Sequence, residues 1–423
     1  MINRGQALAG YKEHVNSGMA RMLALSSSPM EVSAAGNYVV DEQGRELLDC
    51  GGYCVFLLGH GQPRIVDAVV DQLRHRALAT RSMIDPVLAT ASTAVAAVAP
   101  IGLEFVILTT SGTEAVEAAL KVAKLNGCVR VVAMEGAYHG KTAGALSVTG
   151  RDRVRVPFEP LLPGVQRVAY GDAAALAEAV GRDKRRAAVI VEPIQSEAGV
   201  LIPPDGYLAD VRSLCDEAGA ILILDEISTG LGRTGQMWRC DNEAITPDIL
   251  CMGKPLGGGI VPVSAMVASR ELFEPLNREP LLHGSTFGGN PLAARAAIET
   301  LQVIHEVDAP RKAQELGGGI LERLRAIAGE MSGGLVREVR GAGLLFGIEF
   351  SHEHLAAELL VEMFERNVIL CHSMFSHSVV RLTPPVTISE DDLGHLYRAL
   401  SESMVAITER YPDLVQGQAA VAP

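Results

Sequence analysis

Between residues 105 and 268 short aliphatic runs recur, and what lies between them constrains the fold more than any other feature of the chain. The runs are FVIL (105–108), VRVVAM (129–134), AAVIV (187–191), AILIL (220–224), DILCM (248–252) and VSAMVA (263–268). Helical patterns separate several of them, including TEAVEAALKVAKLN (113–126) and GYLADVRSLCDEAG (206–219). A strand that is apolar at nearly every position is buried on both faces. Strand then helix, repeated, predicts a largely parallel sheet covered on both sides. In such sheets ligands collect beyond the carboxyl ends of the strands, so chemistry is expected there.

The chain has 423 residues, enough for one large core and a second, smaller domain. After about residue 290 the pattern changes to long amphipathic helices such as PLAARAAIETLQVIHE (291–306). The runs GLLFGIEF (343–350), VILCH (368–372) and VVRLTPP (379–385) follow, as in a small α+β domain. The first 60 residues carry a hairpin pattern, YVVDEQGRELLDC, with a turn around Asp41 to Gly44, and are assigned to that small domain. The expected division is therefore 1–60 with the small domain, 61–295 as the large domain and 296–423 as the C-terminal small domain. Ala89 to Leu108 has the length of a membrane span, but Pro100, Gly102 and Glu104 make it a helix, a break and a strand.

Acids outnumber Lys and Arg by 50 to 37, which argues against nucleic acid or anionic membrane as a partner. The basic clusters RDRVR (151–155) and RDKRR (182–186) read as solvated surface. Of seven cysteines only Cys50 and Cys54 are close, in a C-x3-C spacing with no second pair, so no metal site is expected. The odd count suits a reducing compartment. The opening residues have no apolar core followed by a cleavage site, so a cytoplasmic location is expected.

Five stretches at strand ends carry candidate chemistry. TTSGTEAVEAAL (109–120) opens a helix directly after a Gly-containing turn, with Ser111 and Thr113 as hydroxyl donors. It reads equally as a phosphate site built on the free amides and positive end of a helix, or as an ordinary capped helix. EGAYHGKT (135–142) offers Tyr138 to stack on a flat ring, with His139 and Lys141 beside it, though a core Tyr next to a satisfied His has the same pattern. VEPIQSEAG (191–199) places Glu192 and Glu197 after a strand, either as solvated loop acids or as groups that orient polar partners in a cleft. ILILDEIS (221–228) ends a buried strand on Asp225. An unpaired buried carboxylate costs several kcal/mol, so Asp225 needs a cation. In DILCMGKPLGGG (248–259), Lys254 sits just past a strand and ahead of a Gly-rich turn, where it can be partly desolvated and its amine made nucleophilic, though a lysine at a strand end is more often simply solvated.

Together, a phosphate cradle, a strand-end acid, an aromatic and a shielded lysine are the contacts that pyridoxal 5'-phosphate requires. Its aldehyde forms an imine with an amine, and its protonated ring nitrogen draws electrons from the carbon that loses a proton. A carboxylate at that nitrogen keeps it charged through a charge-assisted hydrogen bond. The freed lysine amine can then serve as the general base.

Assembled, these residues resemble the class III aminotransferases, the pyridoxal phosphate enzymes that include ornithine, acetylornithine, 4-aminobutyrate and putrescine aminotransferases. The likeness runs from LLDCGGYCVFLLGHGQP (47–63) to VVRLTPPVTIS (379–389), through TSGTEAVEAALK, LILDEISTGLGRTG, PDILCMGKPLGGG, GSTFGGNP and RLTPP. It implies the α/β architecture of PLP fold type I: a mostly parallel seven-stranded sheet covered by helices, plus a smaller α+β domain. It implies Lys254 as the cofactor-bonding lysine, Asp225 on the ring nitrogen, Ile227 and Tyr138 on the ring faces, and Ser111, Gly112 and Thr113 at the phosphate. His139 and Glu192 support the cofactor region. Ser285 and Thr286 are expected to reach the phosphate of a neighbouring subunit, which makes the protein a homodimer. Glu197 and Arg381 are implied as a switchable pair, the Arg taking the carboxylate of a 2-oxo acid and otherwise neutralised by the Glu.

The motifs YHGKTAGALS, PFEPLLPG, IPPDGYLADVRSLCDEAGA and LGRTGQMW are most similar to those of putrescine, or diamine, aminotransferases. Relatives acting on amino acids usually carry Arg after the His-Gly pair, a bidentate clamp for a distal carboxylate; Lys141 here is a point charge. Ser228 stands where the family has Gln, so the usual bond to the cofactor's phenolic oxygen is shortened, water-mediated or lost. Ser196 and Pro255 also depart from the pattern. Tyr53 in YCVFLL (53–58) and the pair Met83 and Ile84 match substrate-pocket positions and read as an aliphatic lining or as packing.

The implied activity is an ω-aminotransferase, moving an amino group by a ping-pong route between a terminal amine or aldehyde and a 2-oxo acid such as 2-oxoglutarate or pyruvate. The substrate can be free or tethered to a carrier. The alternatives are an ornithine or acetylornithine type, or a decarboxylase or aminomutase on the same scaffold.

Overall fold

The computed structural model describes residues 2–26, 28–181 and 185–415. Within RDKRR, residues 182–184 lie outside the described residues. In chain order the strands are β1 (Glu31–Ala35), β2 (Tyr38–Asp41) and β3 (Glu46–Asp49), then β4 (Leu103–Thr109), β5 (Arg130–Met134), β6 (Val165–Val168), β7 (Ala187–Val191), β8 (Ile221–Asp225), β9 (Ile249–Met252) and β10 (Ser264–Ser269). The last five are β11 (Val336–Ala342), β12 (Leu345–Phe350), β13 (Val368–Ile369), β14 (Cys371–Ser373) and β15 (Ser376–Leu382).

The central sheet has seven strands in the order β4-β10-β9-β8-β7-β5-β6. Only β10 runs against its neighbours; β9, β8, β7, β5 and β6 are mutually parallel. Every residue of β7, β8 and β9 is buried, as continuous apolar runs require in a sheet covered on both faces. The seventh strand, β6, reads VQRV and buries only Val168, because a strand at the sheet edge tolerates polar residues on its open side. It has no apolar run to announce it.

The helix Gly112–Leu125 packs on β9 and β10. Ala115, Ala118, Ala119 and Ala123 line its buried face, and such small side chains let the helix sit close to the sheet. Residues 89–108 form the predicted helix, break and strand: the helix Pro86–Val98, capped by Asp85 accepting from the Val87 amide at 3.0 Å, precedes β4. No helix among the described residues is long and apolar enough to cross a membrane.

β1, β2 and β3 form an antiparallel meander, and β13 joins β3 in parallel, with Val368 opposite Leu48. The hairpin turn is built by Asp41, whose Oδ1 accepts from the amides of Gln43 and Arg45 at 2.8 and 3.0 Å. The run VILCH divides between two sheets: β13 pairs with β3, whereas β14 pairs with β15 in the sheet β11-β12-β15-β14. The helix Pro291–Glu306 continues through residue 295 and packs on the helices Pro63–His75 and Pro86–Val98, so the expected boundary at 295 falls inside one element. Two buried arginines tie the C-terminal segments to loops of the central sheet. Arg340 in β11 donates to Gly199 O at 2.7 Å, and Arg233 donates to Pro384 O at 2.6 Å.

Candidate active site

β4, β5, β7, β8 and β9 point the same way, and the loops at their carboxyl ends meet. They deliver Ser111 to Thr113, Tyr138 to Lys141, Glu192, Asp225 and Lys254, respectively. A cavity of about 550 Å³ opens there, lined by Ser111, Gly112, Thr113, Tyr138, His139 and Lys141. Asp225, Ile227, Ser228 and Lys254 line it as well.

Ser111 occupies the N-cap position of the helix Gly112–Leu125, but its hydroxyl makes no capping bond. The first-turn amides of a helix have no partner within it, so this end presents free N–H groups and a positive dipole end. Glu114 reaches back over the helix start to accept from the Thr110 amide at 2.8 Å, and Glu117 accepts from the Thr142 hydroxyl at 2.6 Å. The helix start thus lacks a side-chain cap from Ser111. Gly112 packs closely on Ile227, where a Cβ would lie 2.8 Å from Ile227 Cδ1.

Asp225 is 4% exposed at the end of β8. Its Oδ1 accepts from the Ile227 amide at 3.1 Å, and its Oδ2 accepts from His139 Nδ1 at 2.7 Å. Because a carboxylate can only accept, this contact fixes the proton on Nδ1. His139 is thus the in-chain partner that the sequence of β8 does not disclose. Glu192 is also buried and accepts from the Tyr138 amide at 2.8 Å, which fixes the loop carrying the aromatic. Burial first, then the charge of Asp225, pushes the Glu192 carboxyl well above its ordinary range. Neither acid of VEPIQSEAG is a solvated loop residue.

Lys254 follows β9 with a backbone φ of 43°, in the left-handed region, between Gly253 and Pro255. For a non-glycine residue that conformation costs on the order of 1 to 3 kcal/mol and persists only where the surroundings enforce it. Its ammonium contacts the Ser228 hydroxyl, the residue that replaces the family's Gln.

Behind Tyr138 lies a second group. Arg381 on β15 is fully buried; one terminal nitrogen donates to Glu197 Oε1 and to Ser196 Oγ, each at 2.8 Å. Its Nε and other terminal nitrogen have no hydrogen-bond partner among the described residues. The Tyr53 ring lies 5.5 Å from the guanidinium. Burial opposes ionisation of Glu197, but Arg381 and then Lys254 outweigh it and hold its pKa below the ordinary value.

The structure keeps Ser285 and Thr286 apart from the Lys254 cavity: Ser285 lines a space under β4, and Thr286 an adjoining one with Arg81, Met83 and Phe287. Met83 and Ile84 are 78% and 91% exposed. Sequence reasoning missed Met374, whose amide donates to Glu197 Oε2 at 3.0 Å, and Arg151, placed in the RDRVR cluster as solvated surface, which reaches Phe375 O at 2.8 Å. Neither contact has a local signal. All seven cysteines are free and buried.

Solved structures share this architecture. The ornithine aminotransferase of Toxoplasma gondii is 29% identical over 97% of this chain and 100% of its own, with a TM-score of 0.86. An (S)-enantioselective omega-transaminase of Thermomicrobium roseum is 25% identical over 96% and 99%, at 0.88. The acetylornithine aminotransferase of Elizabethkingia anophelis is 30% identical over 89% and 94%, at 0.78. Fold and site define a pyridoxal-phosphate-dependent transferase of fold type I. The residues present fit that cofactor: an open helix start for a phosphate, a buried carboxylate on the cavity wall and a lysine amine facing the same space. Residues 26–404 match the aminotransferase class-III family, and the chain belongs to it.

Proposed function

We propose that the protein is an ω-aminotransferase that takes the amino group of a terminal, carboxylate-free amine and passes it to a 2-oxo acid. When bound, pyridoxal phosphate supplies an aldehyde that accepts the amine and a ring that stores electrons as a proton leaves carbon. Gly112 and Thr113 hold its phosphate, Tyr138 and Ile227 its ring faces, and Asp225 the proton on its ring nitrogen, with His139 fixing the carboxylate. Lys254, once free, moves the substrate proton. Arg381 takes the carboxylate of the oxo acid, and Glu197 neutralises the guanidinium while an amine occupies the site.

The observation that carries the reading is the half-satisfied Arg381. Its side chain is balanced by Glu197 yet keeps two nitrogens free for a carboxylate. Lys141, exposed at the cavity rim where amino-acid-specific relatives carry Arg, offers no second bidentate clamp. Similarity to ornithine and acetylornithine aminotransferases keeps donors of that kind in the test.

The holoenzyme mixed with putrescine or cadaverine alone is expected to convert its cofactor absorbance from the aldehyde to the amine form, and 2-oxoglutarate or pyruvate to restore it. Faster conversion by ornithine or acetylornithine would replace the diamine reading. Carbon dioxide release without oxo-acid consumption would point to a decarboxylase. We also propose a homodimer, supported by Thr286 and the exposed apolar side chains Met83, Ile84, Leu281 and Phe287, which lie away from the protomer's own Lys254 cavity.

A further inference from the structure

The turn between β14 and β15, residues 373–376, makes five contacts, with Glu197, Tyr138 and Arg151. The Met374 amide donates to Glu197 Oε2 at 3.0 Å, and the Phe375 amide donates to Glu197 O at 2.9 Å. The Phe375 ring meets Tyr138 edge-on with centroids 5.7 Å apart. Arg151 donates to Phe375 O at 2.8 Å, and its guanidinium lies 5.8 Å from the centre of the same ring.

Glu197 is therefore held by two different elements. One carboxylate oxygen faces Arg381, and the other is tied to the turn. If the Arg381 contact is exchanged for an incoming carboxylate, the second tie remains and keeps Glu197 within reach for the return. A glutamate held only by the ion pair would instead be released into a mostly apolar interior, at the cost of an uncompensated charge. Because Phe375 also braces Tyr138, a shift of this turn moves the pair and the cavity wall together.

We propose that the β14–β15 turn is a positioning device for the Glu197–Arg381 pair, and that Arg151 is its clamp. The inference rests on the reading that this pair receives the oxo-acid carboxylate. Arg151 itself is exposed and touches neither Arg381 nor Glu197, so it acts through Phe375. A planar guanidinium can donate to the carbonyl and lie on the ring at once, which an ammonium cannot do as well.

The test is amide hydrogen exchange of the holoenzyme, read at Met374 and Phe375, in wild type, Arg151→Ala and Arg151→Lys, with the KM for 2-oxoglutarate and for the amine measured on the same samples. Arg151→Ala is expected to speed exchange at both amides roughly five- to tenfold, since a cation–π contact and an exposed charge-assisted bond are lost together. It is expected to raise the KM for the oxo acid while leaving that for the amine near wild type. Arg151→Lys should fall between the two. Unchanged exchange at Met374 and Phe375 would overturn the clamp, and faster exchange with equal KM changes for both substrates would overturn the positioning role. Arg381→Ala, run alongside, separates this inference from its parent. If that variant does not discriminate between the substrates, the reading of the pair falls, while the exchange data still decide whether Arg151 holds the turn.

Discussion

Three buried acids follow the strands that lead to the cavity, and their environments set them apart. Asp225 has a histidine, Glu197 has an arginine, and Glu192 has the Tyr138 amide and the more distant Lys254 charge, which do not offset the burial that disfavours its own charge. The raised Glu192 pKa has a consequence for stability. In the unfolded chain the group ionises in the ordinary range, so above that range the folded state binds more protons than the unfolded one. Stability then falls as pH rises toward the raised folded value. Glu197, whose pKa is lowered, has the opposite sign: its contribution is complete above the ordinary carboxylate range and is lost only as pH falls through its folded value. Glu192→Gln keeps an acceptor for the Tyr138 amide and removes the titration. The apoprotein variant should melt higher than wild type near pH 8 and show a flatter dependence of Tm between about pH 5 and pH 8. Parallel curves would mean that Glu192 titrates normally. The acids themselves are legible in the sequence because each follows a buried strand. Their partners are not, since His139 lies 86 residues from Asp225 and Arg381 lies 184 from Glu197.

At the scale of elements, legibility follows burial. The strands buried throughout announce themselves as apolar runs, whereas β6 at the edge does not, and VILCH gives no sign that it changes sheet midway. Loop geometry is less visible still. Gly140, between the strand-end Tyr138 and the rim Lys141, has φ +120°, and a Cβ there would sit 2.3 Å from Thr113 Oγ1 and 3.1 Å from Thr113 Cα. The second distance is to backbone, so rotating the threonine does not relieve it. This loop and the helix start thus pack directly against each other, which fixes where Thr113 stands at the cavity. Gly140→Ala combines a forbidden φ with overpacking and should destabilise the protein by about 3 kcal/mol in urea unfolding. It should also weaken cofactor binding, since the strain falls on Thr113. A loss below about 1 kcal/mol would show that the loop relaxes and that its closeness is incidental.

For the whole molecule the decisive matter is where Thr286 acts. In one protomer it is exposed and lines a different space from Lys254, beside Met83 and Phe287. A surface of exposed apolar side chains next to a hydroxyl suits an interface between symmetry-related copies. If the proposed dimer places Thr286 at the neighbouring phosphate, each site draws Lys254 from one chain and Thr286 from the other. Lys254→Ala alone has no working site, and Thr286→Asp alone puts a repelling charge at both phosphates. Mixed dimers of the two variants would then contain one site with both defects and one with neither. Random pairing makes half of all dimers mixed, so unfolding and refolding the variants together should recover about a quarter of wild-type turnover. If Thr286 instead served its own chain's site, every site in the mixture would carry exactly one defect. The mixed sample would then show no activity beyond the sum of its parents, and the shared site would be excluded.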